Sequence, residues 1–269
     1  MSVDWAALDR GAGALDGKAG LVVLDAEGRT LYERDADRAY PAASVIKIPI
    51  LMTVYADAAA GRVSLEERLA VGEHKPGTGV LGLVKGVTEL SLRDHATLMT
   101  VVSDNTATNR VMERLGVERI GERMREWGCV RTKLQRKMFD FEAADRGFDN
   151  VASPRETARL LLRLVRGELV DRATSDAVLA VLEGTQDDAL LRRYLPAGAR
   201  VAHKTGSLEK VRNDAAVIWG ERPVIAAGFV SGVPDIRPAR SLLGLLGWLA
   251  YGAAGGDAKG LPSEWPEGR

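Results

Sequence analysis

The chain is predicted to fold as an α/β protein of the α+β kind: an antiparallel sheet of about five strands, flanked by terminal helices and interrupted by an all-helical insertion. Three observations predict it. Strand-like apolar runs cluster toward the two ends, helix-period patterns fill the middle, and 269 residues at 46% hydrophobic content can bury a full core.

Taken in order, residues from about Val3 to Ala12 have the pattern of an opening helix. Gly20–Asp25 and Thr30–Tyr32 then flank a turn at Glu27-Gly28 and read as a hairpin. Val45 to Ala60 is strongly apolar, ends near Gly61, and predicts a core helix that carries Lys47 one turn from Ser44. Helical periodicity recurs over Leu92–Val102, Ala107–Leu115, Val117–Trp127, Pro154–Val165 and Ser175–Leu182, with Ser153-Pro154 as a start signal. Strand patterns return at Arg200–His203, Asp214–Trp219 and Val224–Val230, and Ala239–Ala253 predicts a closing helix. The expected organisation is a single domain over 1–269, with a sheet part at about 1–60 and 196–254, a helical part at about 61–195, and a loosely held tail at 255–269. No internal repeat is visible.

Charge excludes some functions. Lys plus Arg and Asp plus Glu number 37 each, so no global field draws in nucleic acid or an anionic membrane, and a small-molecule substrate fits the balance. The lone Cys129 can form no intramolecular disulfide and reads as a small buried hydrophobe. His74, His95 and His203 have no metal-ligand spacing, so no metal and no cofactor is expected. The first residues lack a basic start and an apolar run, and no stretch reaches membrane-spanning length. These features predict a cytoplasmic protein, or a periplasmic or secreted one whose leader has been removed; a monomer is the expected state.

Chemistry concentrates in three motifs: Ser44-Val-Ile-Lys47, Ser103-Asp104-Asn105 and Lys204-Thr205-Gly206. Ser-x-x-Lys alone arises by chance roughly once in a chain this long, and Ser207–Lys210 is a second instance. The other two are each expected in only about one such chain in twenty, and all three stand in the order of a known catalytic set. A serine hydroxyl attacks an amide only when a neighbouring base takes its proton, and Lys47 is the nearest candidate for Ser44. A lysine serves as that base only if burial and nearby positive charge, such as Lys204, lower its pKa.

Over nearly its whole length the sequence resembles class A β-lactamases and related penicillin-recognising serine hydrolases. Beyond the three motifs, the likeness includes Tyr40-Pro-Ala-Ala, Leu92-Arg-Asp94, Thr106-Ala-Thr-Asn109, Leu190-Leu-Arg192, Leu195-Pro-Ala-Gly198 and Asn213-Asp214. The resemblance implies a β-lactamase/transpeptidase-like fold with Ser44 as nucleophile. It also implies Ser103 as proton relay to the leaving nitrogen and Asn105 as ligand of the substrate acylamide. Lys204 and Thr205 would bind a substrate carboxylate, Gly206 would permit close approach, and the backbone amides of Ser44 and Ser207 would form the oxyanion hole. Arg212 would pair with the same carboxylate. Asp104 and Asn109 are expected to be architectural.

The family's deacylating glutamate, in a Glu-x-x-x-Asn pattern, is missing between Lys137 and Pro154. One register puts Lys137 at its place, and a small gap delivers Asp140 or Glu142 instead. Glu142 has the longer reach, but it also reads as an ordinary surface carboxylate. The expected activity is hydrolysis of a β-lactam amide through a Ser44 acyl-enzyme. The alternatives are a D,D-peptidase-like amidase or esterase that deacylates slowly, and a non-catalytic penicillin-binding module.

Overall fold

In a computed structural model, which describes residues 3–258 and Pro262, the apolar runs at the two ends of the chain pair into one sheet. The chain opens with α1 (Ala6–Gly13), β1 (Lys18–Asp25), β2 (Thr30–Arg34) and β3 (Tyr40–Pro41). A 3-10 turn at Ala43–Ile46 then leads into α2 (Lys47–Ala59). The helical stretch holds β4 (Arg68–Ala70), β5 (Glu89–Ser91), α3 (Leu92–Val101), α4 (Asn105–Leu115), α5 (Val117–Glu126), α6 (Phe141–Asp145), β6 (Val151–Ala152), α7 (Pro154–Arg166) and α8 (Arg172–Glu183). The chain ends with β7 (Val201–Leu208), β8 (Val211–Ile218), β9 (Val224–Ser231) and α9 (Ile236–Ala253).

The five-stranded sheet has the order β2-β1-β9-β8-β7, with every pair antiparallel. Period-two alternation divides its side chains between two cores. Leu21 and Val23 of β1 join Ala216, Ile218 and the apolar face of α9 on one side. Val22 and Leu24 join Ala215, Val217 and the residues of α2 and α7 on the other. Both faces are covered, so β8 is buried from Val211 through Ile218. Burying each aliphatic side chain of this size contributes about 1.5–3 kcal/mol. The central helix α2, buried from Lys47 through Asp57, is therefore held firmly.

Capping explains where several helices begin. Asp104 accepts from Ala107 N and starts α4 at Asn105 rather than Ala107, and Asp171 accepts from Thr174 N and starts α8 three residues before Ser175. Ser153 caps α7 with Pro154 in its first turn, as the sequence implies. Two small pairings lie outside the expected elements: β3 with β6 through Tyr40↔Ala152 and Pro41↔Val151, and β4 with β5. Gly20 makes room for the first of these, because a Cβ there would meet the Tyr40 ring.

The start of the expected loose tail is tied back: Gly255 and Gly256 donate to Gly252 O and Tyr251 O at 3.1 and 2.9 Å. Residues 259–261 and 263–269 of that tail lie outside the described residues. No helix among the described residues is long and apolar enough to cross a membrane.

Candidate active site

Ser44 sits on the 3-10 turn between β3 and α2, on the wall of a cleft of about 530 Å³. Four tethers set the position of this turn. Ala42 N donates to Asn150 O at 2.9 Å, β3 pairs with β6, and Asn213 Nδ2 donates to Pro41 O and Ala42 O at 2.8 and 3.2 Å. The fourth is close contact with β7 at Gly206. A Cβ on Gly206 would stand 3.0 Å from both Ser44 N and Val45 N and 3.1 Å from Ala42 O, so only glycine lets the edge strand come this near. Ala43, directly before the serine, has φ +46°, a left-handed conformation held by these neighbours.

Lys47 begins α2 and is almost fully buried. Its Nζ donates to Ser103 O, Ser103 Oγ and Asn105 Oδ1 at 2.8, 3.0 and 3.0 Å. Burial, reinforced by the nearby charge of Lys204, holds its pKa well below the usual lysine range. Ser103 reaches the amine from a backbone with φ +56°, at the sharp turn between α3 and α4. Lys204, on β7, is also buried, and desolvation lowers its pKa to about 8; its Nζ donates to Thr205 O at 2.9 Å. Two amines with lowered basicity and two hydroxyls thus surround one cleft, and the set can pass a proton away from an attacking oxygen and back to a leaving group.

Asp104 fixes the near wall. Buried between α3 and α4, its carboxylate accepts from Val80 N, Leu81 N and Ala107 N at 2.7, 2.8 and 2.9 Å, anchoring the segment that carries Gly77 and Thr78 into the cleft. Thr78 Oγ1 in turn donates to Ser103 O at 2.8 Å, and Asn105 Nδ2 donates to Pro76 O at 3.0 Å. Asn109 exchanges hydrogen bonds with the Met138 backbone at 2.8 and 3.0 Å, pinning the loop that crosses the cleft. Asn150 Oδ1 accepts from Gln135 N and Arg136 N at 2.7 and 3.1 Å and closes the same loop.

The structure brings Ser44, Ser103, Asn105, Lys204, Thr205 and Ser207 to the cleft lining, with Lys47 directly behind and Gly206 against the turn that carries Ser44. Three expected residues are not brought there. Glu142 is an exposed residue of α6 facing Arg146 at 3.7 Å, and Asp140 spends its carboxylate as the N-cap of the same helix, accepting from Ala143 N. Neither lines the cleft, which corrects their expected placement. The loop instead presents Arg136, Met138, Phe139, Phe141, Asp149 and Asn150, and its one lining carboxylate, Asp149, is paired with Arg136 at 2.8 Å. The alternative register fares no better, since Lys137 pairs outward with Glu113 at 2.9 Å.

Arg212 is the third. It shares the sheet face of Asp214, is buried, and donates to Leu208 O and Val211 O at 2.5 and 2.6 Å, without reaching the lining. Burial and the nearby Arg240 lower its pKa. Sequence reasoning also missed the far wall of Thr185, Gln186 and Asp187. The clustered glycines 77 and 79, both at positive φ, were the available hint for the near wall.

Away from the cleft, burial raises the Cys129 thiol to about 12, so it remains an inert core residue. His203 contacts the Asp214 carboxylate at 3.3 Å, and among the described residues no group of three or more His, Cys, Asp or Glu could hold a metal.

Comparison with known proteins matches this geometry. The sequence profile described as the beta-lactamase enzyme family matches residues 6–254. Beta-lactamase L2 of Stenotrophomonas maltophilia is 28% identical over 263 residues, covering 93% of this chain and 84% of that protein. The crystal structure of a beta-lactamase from Sphaerobacter thermophilus DSM 20745 superposes with a TM-score of 0.86 at 30% identity, covering 94% of this chain and 98% of that one. The structure of PBP-A superposes with a TM-score of 0.83, also at 30% identity, covering 92% and 94%. With the profile spanning nearly the whole chain, the protein belongs to the beta-lactamase enzyme family.

Proposed function

We propose that the protein is a class A β-lactamase-type serine hydrolase that opens β-lactam amides through a Ser44 acyl-enzyme. The observation that carries this reading is the buried Lys47 amine, hydrogen-bonded to Ser103 Oγ and Asn105 Oδ1 and depressed in basicity beside the nucleophile turn. Ser44 Oγ attacks the lactam carbonyl carbon while its proton passes to Lys47 Nζ. The oxyanion is held by the backbone amides of Ser44 and Ser207, which the close approach at Gly206 supports. As the C–N bond breaks, Ser103 Oγ delivers a proton to the leaving nitrogen and recovers one from Lys47. Lys204 and Thr205 bind the substrate carboxylate without Arg212, and Asn105 orients the acylamide from the edge of the cleft.

Water then releases the acyl group. With Asp140 and Glu142 turned away, no loop carboxylate is dedicated to activating that water. General-base assistance is worth about 10²–10⁴-fold, so deacylation is the slow step and acyl-enzyme accumulates during turnover. The residues invoked come from both the sheet part and the helical part of one chain, so these parts act as one unit and a monomer suffices. The D,D-peptidase-like, esterase and non-catalytic alternatives are less favoured by the family match.

Hydrolysis of a chromogenic cephalosporin tests the reading. Ser44→Ala and Lys47→Ala should each lose at least about a thousandfold in kcat/KM, whereas wild-type rates in either variant would refute it.

A further inference from the structure

Four arginines recur along α7 at intervals of four, four and three: Arg155, Arg159, Arg163 and Arg166. That spacing puts them on one helical face, while Leu161 and Leu164 turn the opposite face into the core. With Gly28 and Thr30 from the β1–β2 connection and Trp127 from the end of α5, the four arginines line a second cleft of about 340 Å³. It shares no lining residue with the cleft at Ser44.

The charges of this second cleft do not balance. Arg155 is matched by Asp37 and Glu33 at 2.9 and 2.6 Å, and the lining residue Glu27 is met by Arg29 at 3.5 Å; Asp37, Glu33 and Arg29 all lie outside the lining. Among the described residues Arg159, Arg163 and Arg166 form no ion pair, and Glu168 is the one acid of the lining left to face them. A helix C-terminus favours cations, which accounts for Arg163 and Arg166 in the last turn. It does not account for Arg159, which stands at mid-helix with a like charge four residues away on either side.

Two of the guanidinium groups are also held in place. Arg166 Nε donates to Ala26 O at 3.2 Å, and its Nη2 lies 3.1 Å from where a Cβ on Gly28 would stand. Arg163 Nη1 donates to Glu168 O at 3.0 Å. Each spends one of its five N–H donors on a backbone carbonyl and keeps the others for a ligand. Fixed planar donors of this kind match phosphate oxygens two at a time.

We propose that this cleft binds a small phosphorylated ligand, a phosphomonoester or diphosphate ester, held by Arg159, Arg163 and Arg166 with its organic part against Trp127. A concave site between hairpin and helix suits a compact soluble anion rather than a flat lipid surface. The site is separate from the acyl-transfer chemistry and stands whether or not Ser44 is acylated.

Calorimetry with inorganic diphosphate and with glucose 1-phosphate, at about 0.15 M salt so that non-specific attraction is screened, tests the proposal. Both should bind saturably. Arg159→Gln should weaken binding at least about tenfold, because charge-assisted hydrogen bonds are lost, and Arg159→Lys, which keeps the charge without the fork, should fall between. Glu168→Gln should tighten binding by removing the opposing acid. Arg237→Gln, which alters an exposed arginine outside the cleft, should bind as the unaltered protein does. No saturable heat with either compound, equal weakening in Arg237→Gln, or full binding in Arg159→Gln, as would follow if the anion sat at Lys204 instead, would overturn the proposal. So would co-sedimentation with phosphatidylglycerol vesicles in the absence of heat from the soluble phosphates, which would assign the arginines to a lipid headgroup.

Discussion

In the proposed mechanism, two lysines have opposite requirements. Lys47 must be uncharged to take the proton of Ser44, and burial followed by the charge of Lys204 drives its proton off well below the usual range. Activity therefore rises with pH as Lys47 deprotonates. Lys204 must stay charged to hold a substrate carboxylate, and with a pKa of about 8 it loses that charge above pH 8. A kcat/KM profile should be bell-shaped with its alkaline limb near pH 8, and Lys204→Arg should move that limb upward, because a guanidinium stays protonated. An alkaline limb at the same pH in both proteins would remove Lys204 from this role. The lysines were legible because short motifs place them. The absence of Asp140 and Glu142 from the lining was not, because the direction in which they point is set by the cap of α6 and the clamps at Asn109 and Asn150. No local pattern encodes those long-range contacts.

Among the elements, the contact between β7 and the turn that carries Ser44 is the most exacting. Gly206→Ala adds a Cβ at 3.0 Å from two backbone nitrogens, tighter than ordinary contact, so the strand or the turn must yield. A shift of this kind should lower kcat/KM at least about tenfold with a small change in melting temperature; unchanged kinetics would show that the approach is not needed. Asp104→Ala is expected to behave in the opposite sense. It leaves the amides of Val80, Leu81 and Ala107 without their carboxylate, and each hydrogen bond to a charged group is worth about 1.5–3 kcal/mol, so urea unfolding should show a loss of several kcal/mol. Long elements such as β1, α2 and α9 were readable from periodicity. The pairs β3–β6 and β4–β5 were not, since strands of two or three residues carry no period and exist through tertiary contacts.

At the scale of the molecule, the two ends of the chain meet in one sheet, with β1 lying between β2 and β9. Removing residues 3–34 would expose β9 and one face of each core, so the shortened chain should show no cooperative thermal transition, and a sharp transition would contradict this dependence. The same architecture brings Ser44 from the turn before α2, Ser103 from the turn between α3 and α4 and Lys204 from the edge strand around one cleft, and in the proposed function they act together on an acyl group. Intact-protein mass spectrometry during a time course with a penicillin, run beside Ser44→Ala, tests this joint action. The expected result is a covalent adduct of one substrate mass that forms quickly, persists during turnover, decays as substrate is exhausted, and is absent from Ser44→Ala. An adduct that survives in Ser44→Ala, or no adduct and no turnover in the unaltered protein, would contradict it.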